Sequence, residues 1–468
     1  MSMLRRVLLA TVLTGAFATA ACDAGDVQVW LSTSDGTNQL SRQSDLEFST
    51  LRAAEPATIA VDPGKRYQEI VGFGAALTDA SAILLHHLPD AARTAVLTEL
   101  FGRKSGGLGL SFTRLTIGAS DFSTIDYSFD DQPKGAKDPG LSAFSIAPNQ
   151  VDVLPVLKEA LTINPDLKVM ASPWSAPAWM KTSDSLIKGS LSPDAYPAYA
   201  QYFRRYLDAY AAEGVPIYAL TIQNEPHFEP DTYPGMRVAP ESRAAFIGGY
   251  LGPLLVRSHP GVRILDWDHN WDEPQSPLTV LADPTAAPYI AGVAWHCYAG
   301  EPTAQGQVHD AHPNKETWFT ECSGGDWVAA KDALVSSAGT LVETMRYWSK
   351  GALLWNLALD ENHGPHLGGC DNCRGVVTID SKTGAITRTS DYYALGHLSR
   401  FVAPGASRIE AGIEPKGVNT VAFRNRDGSI VVVVVNRADE RRAVSVREGL
   451  RGFTYNLPPG AVATFAWH

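Results

Sequence analysis

The chain has 468 residues, 45% of them apolar, enough for one large domain plus a smaller one around a sizeable core. Its 50 Asp and Glu outweigh 39 Lys and Arg for a net charge of -11, and no basic run is present to neutralise phosphates, which excludes nucleic acid as a partner. The 11 Trp, 16 Tyr and 16 Phe suit sugar faces and an ordinary core equally well, so they exclude nothing.

The N-terminus reads as a secretory signal peptide, residues 1–21: Arg5 and Arg6, then an apolar run from Val7 to Ala21 ending in small residues, too short for a membrane span. Cys22 directly after it is a candidate for lipid attachment, although Thr19 departs from the usual lipobox; plain export is the simpler expectation. No other segment is long and apolar enough to cross a bilayer.

Val27–Leu31 and Leu46–Phe48 read as two strands with no helix beside them. From Tyr67 onward strand-like and helix-like pieces alternate. Strand ends are expected at Gly72, Leu115, Ala171, Ile222, Trp267, Tyr298, Glu321 and Trp355, with helices over 150–161 and 192–212 among the connections. Eight such alternations are what a (β/α)8 barrel requires, and these barrels place chemistry on the loops after their strands. Tyr199, Tyr202, Phe203, Tyr206, Leu207 and Tyr210 share one helical stripe followed by Gly214, a core-packing pattern with a C-terminal cap. After Ala394 the helical pattern stops. Strands follow at 418–423, 430–435, 442–446 and 462–467, with Asp427-Gly428 as a hairpin signal.

The stretch Leu220–Pro230, LTIQNEPHFEP, carries the chemistry. A short apolar strand delivers Asn224 and Glu225 where Pro226 forbids further pairing. A surface turn is the rival explanation, and a second carboxylate decides against it: Glu321 closes the strand-like run ETWFTE. Placed after the fourth and seventh strands, both acids face the same barrel mouth. Carboxyls about 5 Å apart hydrolyse glycosides with retention, and a gap of roughly 6.5–9.5 Å inverts. Cys297, Cys322, Cys370 and Cys373 form an even set in an exported chain, which favours disulfides; the CxxC at Cys370–Cys373 offers only two ligands, too few for a structural zinc.

Several long runs, GFGAALTDA from Gly72, SFTRLTIGASDFS from Ser111, ASPWSAPAWMKT from Ala171 and WNLALDENHGP from Trp355, resemble the glucosylceramidase-like glycoside hydrolases of family thirty over about 72–405. The resemblance implies a (β/α)8 barrel with an attached β-sandwich built from both chain ends, divided as N-terminal sandwich strands (22–60), catalytic barrel (61–393) and C-terminal sandwich (394–468). It implies a retaining mechanism with Glu225 as acid and base and Glu321 as nucleophile, and the charge of Glu321 is expected to raise the pKa of Glu225. It assigns Asn224 to the sugar 2-hydroxyl, Asp121 and Trp174 to outer hydroxyls, and Trp355, Tyr233, His296 and Tyr298 to the pocket, with Tyr298 beside the nucleophile. Asp79 is expected only to cap a helix.

Two positions depart from the animal lysosomal member: Cys297 stands for a tryptophan, and Leu354 for an aspartate. The loop His366–Gly375 is similar to the microbial branch that contains endo-β-1,6-glucanases, and a Cys297–Cys322 disulfide beside the nucleophile is a hypothesis. The expectation is therefore an exported retaining enzyme acting on β-glucan, most of all β-1,6-linked, with glucosylceramide or another β-glucoside or β-xyloside as the alternative. A sugar-binding protein on an inactive barrel is disfavoured because both carboxylates are kept. Two carboxyls suffice for the reaction, so neither metal nor organic cofactor is expected.

Overall fold

The computed structural model describes residues 27–50, 58–104, 106–412 and 417–468. The expected signal peptide and Cys22 lie outside them. Among the described residues no helix is long and apolar enough to cross a membrane.

Eight parallel strands close a barrel: Gly72–Ala76, Phe112–Thr116, Lys168–Ser172, Ala219–Thr221, Arg263–Asn270, Ile290–His296, Glu316–Glu321 and Ser349–Leu354. Gly72, expected as a strand end, opens the first strand instead. Its sequence GFGAA has no β-branched residue to mark a direction, and its glycines answer crowding: a Cβ on Gly74 would lie 1.8 Å from the Phe112 carbonyl oxygen.

Strand periodicity stacks two different layers inside the barrel. Phe112, Met170, Ala219, Ala294 and Trp318 form a fully buried apolar layer with Leu265 and Leu353. Two residues further along the same strands stand Arg114, Ser172, Thr221, His296 and Thr320, buried and polar. A step of two returns each side chain to the same face, so the second layer lies above the first, toward the strand ends. The fifth strand breaks this step. Its register against the sixth shifts between Ala294 and Trp295, and Trp267 and Asp268 take positive φ values of 77° and 53°. This bulge turns Asp268, three residues after Leu265, into the polar layer.

The helix expected over 192–212 is Tyr196–Ala212 after a 3-10 turn at Pro193–Ala195, and its tyrosine stripe is buried as core. The helix expected over 150–161 is two, Ala147–Val151 and Val153–Ile163, broken at Asp152.

The second domain is a β-sandwich from both ends of the chain. Gln28–Thr33 pairs with Ala461–Trp467, and the long strand Thr58–Glu69 joins two halves by pairing with Ser407–Glu410 and Arg442–Glu448. Three expectations are corrected. Leu46–Phe48 is a single bridge, Leu46 to Val27, and not a strand. The sandwich reaches Glu69 and so passes residue 60. The boundary at 393/394 falls inside the helix Ser390–Ser399, whose Leu395 and Leu398 join the barrel-side core. Asp427-Gly428 does form the turn between Val418–Arg424 and Ile430–Asn436, with Gly428 at φ 92°. The run Ile430–Asn436 is buried on both faces: Val431, Val433 and Val435 join the barrel-side core, whereas Ile430, Val432 and Val434 join the sandwich core. This strand welds the two domains.

Candidate active site

Glu225 follows the fourth strand by a few residues and is held in the left-handed region, φ 46°, where its N–H donates to the Asp268 carbonyl at 2.9 Å. Such a conformation is uncommon for Glu and persists only where the surroundings enforce it. Glu321 is the last residue of the seventh strand. Both carboxylates reach one imidazole nitrogen: His296 Nδ1 is 2.9 Å from Glu225 Oε1 and 4.0 Å from Glu321 Oε1. Because the two contacts share that nitrogen, the two oxygens are no further apart than the sum, below most of the roughly 6.5–9.5 Å range of an inverting pair.

The polar layer beneath is organised by Asp268. Its Oδ2 accepts from Arg114 at 2.7 Å, Ser172 at 2.8 Å and Thr221 at 2.7 Å, and its Oδ1 from Thr320 at 2.7 Å and His296 at 3.1 Å. Burial alone would raise its pKa; the Arg114 charge and the His296 hydrogen bond hold it well below the carboxylate range. Arg114 also donates to Glu321 and, at 2.7 Å, to Asn224 Oδ1. With the carbonyl end of Asn224 engaged, its amide end is the one that can donate to a ligand. Tyr298 donates its hydroxyl to Glu321 Oε1 at 2.9 Å, so both oxygens of that carboxylate are held.

One expectation is overturned here. Burial raises the pKa of Glu225, but His269, 3.5 Å away, and His296, hydrogen-bonded at 2.9 Å, outweigh it and bring it to about 2. Burial alone would lower His296, yet the Glu321 charge and bonds to Asp268 and Glu225 lift it to about 9. Both ring nitrogens face carboxylates, at 2.9 and 3.1 Å, the geometry of an imidazolium. The proton resides on His296, one hydrogen bond from Glu225.

A cleft of about 360 Å³ opens above this layer, lined by ten expected residues, Asp121, Trp174, Asn224, Glu225, Tyr233, Tyr298, Glu321, Trp355, Cys370 and Cys373. Trp174 and Trp355 stack with centroids 5.0 Å apart, and Trp355 Nε1 donates to Asp121 Oδ2 at 3.4 Å. Burial, helped by the charge of Glu321, pushes Asp121 up to about 8, so it keeps its proton at neutral pH, and its Oδ1 has no hydrogen-bond partner among the described residues. His296 is a correction: expected against substrate, it lies fully buried beneath the two glutamates and does not line the cleft. Asp79 does not cap its helix, since Thr78 accepts from the Ser81 N–H; it accepts instead from Ser123 at 2.6 Å and Tyr127 at 3.0 Å. Cys297 is bonded to Cys322, and Cys370 to Cys373.

The sequence reading missed Arg114, Asp268, His269, Phe228 and Trp327. Arg114 lies within a run noticed for its family likeness, and its place two residues after an inward Phe112 was the available signal. Nothing local marks the bulge that aims Asp268. Glu225, His269 and His296 could together hold a divalent ion, with ligand atoms within 4.8 Å of one another, though here Glu225 and His296 engage each other.

Comparison with known proteins agrees with this geometry. The family model for the glycosyl hydrolase family 30 TIM-barrel domain matches residues 70–402, and that for the family 30 beta sandwich domain matches 405–465. The chain belongs to glycosyl hydrolase family 30. This family 30 chain is 35% identical over 442 residues to an endo-1,6-beta-D-glucanase of Neurospora crassa, covering 90% of each. It is 29% identical over 458 residues to the lysosomal acid glucosylceramidase of Mus musculus, covering 91% of this chain and 87% of the relative. A solved endo-beta1,6-glucanase superposes with a TM-score of 0.87 at 36% identity, covering 95% of this chain and 99% of the other. The chain is thus a glycoside hydrolase, and its substrate is a glycan or glycoside.

Proposed function

We propose that the protein is an exported β-1,6-glucanase working by double displacement, with Glu321 as nucleophile and Glu225 as acid and base. The observation that carries this reading is the shared His296 contact, which keeps the two carboxylates on the short side of the inverting range. Tyr298 and Arg114 hold the two oxygens of Glu321, which fixes the carboxylate in place for attack on the anomeric carbon. The proton for the departing oxygen starts on His296 and passes along the 2.9 Å hydrogen bond through Glu225. Formation of the glycosyl ester removes the Glu321 charge, which lowers the proton affinity of His296 and Glu225 together. Glu225 is then the base that activates water. Asn224 and Asp121 offer donors for the hydroxyls of the bound sugar, the Trp174–Trp355 stack its apolar floor.

The β-1,6 assignment is drawn from the Neurospora relative and the solved glucanase, both at 35% identity or above. Export is supported by two disulfides, which persist in oxidising compartments; a lipid tether through Cys22 is the alternative to free release. A hydrolysis panel of β-1,6-glucan, β-1,3-glucan, glucosylceramide, and nitrophenyl β-glucoside and β-xyloside tests the substrate. Preference for glucosylceramide over β-1,6-glucan would replace the assignment. Glu225→Gln is expected to spare the first step on nitrophenyl glucoside while crippling hydrolysis of glucan, and Glu321→Gln to abolish both; equal loss on the two substrates in Glu225→Gln would refute the acid role.

A further inference from the structure

The floor and the rim of the cleft carry different aromatics. Trp174 and Trp355 are buried, whereas Phe228 and Trp327 line the same cleft and are 46% and 53% exposed. Both rim residues stand on turns whose backbone is fixed. Phe228 closes the turn that begins at Glu225, its N–H donating to the Glu225 carbonyl at 2.9 Å. Trp327 lies across Gly325, where a Cβ would come within 2.0 Å of the indole, so only glycine admits the ring there.

The turn that carries Trp327 is clamped on both sides. It leaves the seventh strand through Cys322, bonded to Cys297. Gly324 and Gly325 pair with Arg374 and Cys373, and the Asp326 N–H donates to Asn372 at 3.1 Å. The opposing loop is closed by the Cys370–Cys373 bond. Holding a large apolar face in water at a fixed place removes the ordering cost that a ligand would otherwise meet.

We propose that Phe228 and Trp327 form the leaving-group subsite, binding the pyranose faces of the glucosyl unit that departs. The inference rests on the roles given above to Glu225 and Glu321. One ring stands on the turn of the acid that protonates the departing oxygen, the other on the turn after the nucleophile, so both flank the side from which the leaving sugar exits. Its axial C–H faces are apolar and match indole and phenyl surfaces. By microscopic reversibility the same subsite receives an acceptor sugar. The acceptor oxygen attacks the anomeric carbon, the bond to Glu321 breaks with its electron pair returning to the carboxylate, and Glu225 takes the acceptor's proton.

The test uses the full chain with Trp327→Ala, Phe228→Ala and Trp327→Phe, each checked for an unchanged melting temperature. β-Glucosyl fluoride, whose leaving group is too small to reach the rim, serves as donor, with β-1,6-glucan as polymer and methyl β-glucoside as acceptor. Both alanine variants are expected to lose at least tenfold in kcat/KM on glucan and fivefold in transfer to the acceptor, with fluoride hydrolysis within twofold and Trp327→Phe largely restored. Parallel loss on fluoride, unchanged glucan and transfer rates, or absence of acceptor transfer in the unaltered enzyme would overturn the proposal. An unaltered enzyme that cleaves fluoride but not β-1,6-glucan would refute the substrate assignment alone, and the transfer ratio would then decide the subsite.

Discussion

The two layers inside the barrel are built from the same strands, two residues apart, and they do opposite work. The lower one, with Met170, Trp318 and Leu353, is held by exclusion of water, is non-directional and tolerates changes of shape. The upper one, with Arg114, Asp268, His296 and Thr320, is held by hydrogen bonds that leave each member dependent on its partners. Both layers support the fold, but only the upper one places the proton, so a substitution in the lower layer should change stability alone and one in the upper should change the pH profile as well.

The largest effect is expected from Asp268→Ala, which strips five donors of their acceptor and leaves Arg114 and His296 as buried charges. Loss of one partner in such a network costs about 3–5 kcal/mol, so denaturant unfolding should show that loss together with abolished hydrolysis. A folded variant with near-normal stability would contradict the central place given to Asp268.

His296→Asn should lower activity at neutral pH by about 10²-fold or more, the usual worth of a positioned proton donor. The pH profile is the sharper readout. His296 stands raised to about 9 and Glu225 lowered to about 2. One proton is therefore shared by the pair above pH 2 and is lost as pH rises through about 9, which sets the basic limb of kcat/KM near that value. Without the imidazole the proton must sit on Glu225 itself, and the basic limb should move to lower pH. An unmoved limb would show that His296 does not hold the proton.

Leu353→Ala, in the lower layer, should cost about 2–5 kcal/mol of stability through the lost apolar contacts and the cavity left behind. Its pH limbs and the kcat/KM of the folded fraction should stay close to those of the parent, and a displaced basic limb would mean that the layers are not separable. The smallest effect is expected from Tyr298→Phe. It removes one hydrogen bond to the Glu321 carboxylate, a change of about 1.5–3 kcal/mol at most, read as roughly a tenfold to hundredfold fall in kcat/KM with an unchanged melting temperature.

Legibility in the sequence followed the range of each signal. Val431, Val433 and Val435 alternate with Val432 and Val434, and strand content was plain, but that each set serves a different core depends on the helix and barrel wall packed against the outer face. Ser390–Ser399 continues past Ala394 because its second half is buried between the two domains, where His397 meets Ser32 and Thr464 of the sandwich, and no one-sided apolar stripe marks such a helix in the sequence. Glu225 and Glu321 were found because both sit beside recognisable strands. His296 was found too, but placed against substrate, since nothing in the chain tells whether an inward residue lies at the floor of a cleft or beneath it.

What the sequence determined by itself is the set of parts: eight strand and helix alternations, a β-rich tail, two carboxylates at strand ends and four cysteines, all written in local periodicity and turn chemistry. Only the tertiary structure decided where the proton is kept. The bulge at Trp267 and Asp268, the Arg114 bridge to Glu321 and the imidazole between two carboxylates join residues from four different strands and the loop carrying Glu225. A pKa is set by the charges and dipoles around a group in space, and those neighbours lie far apart along the chain.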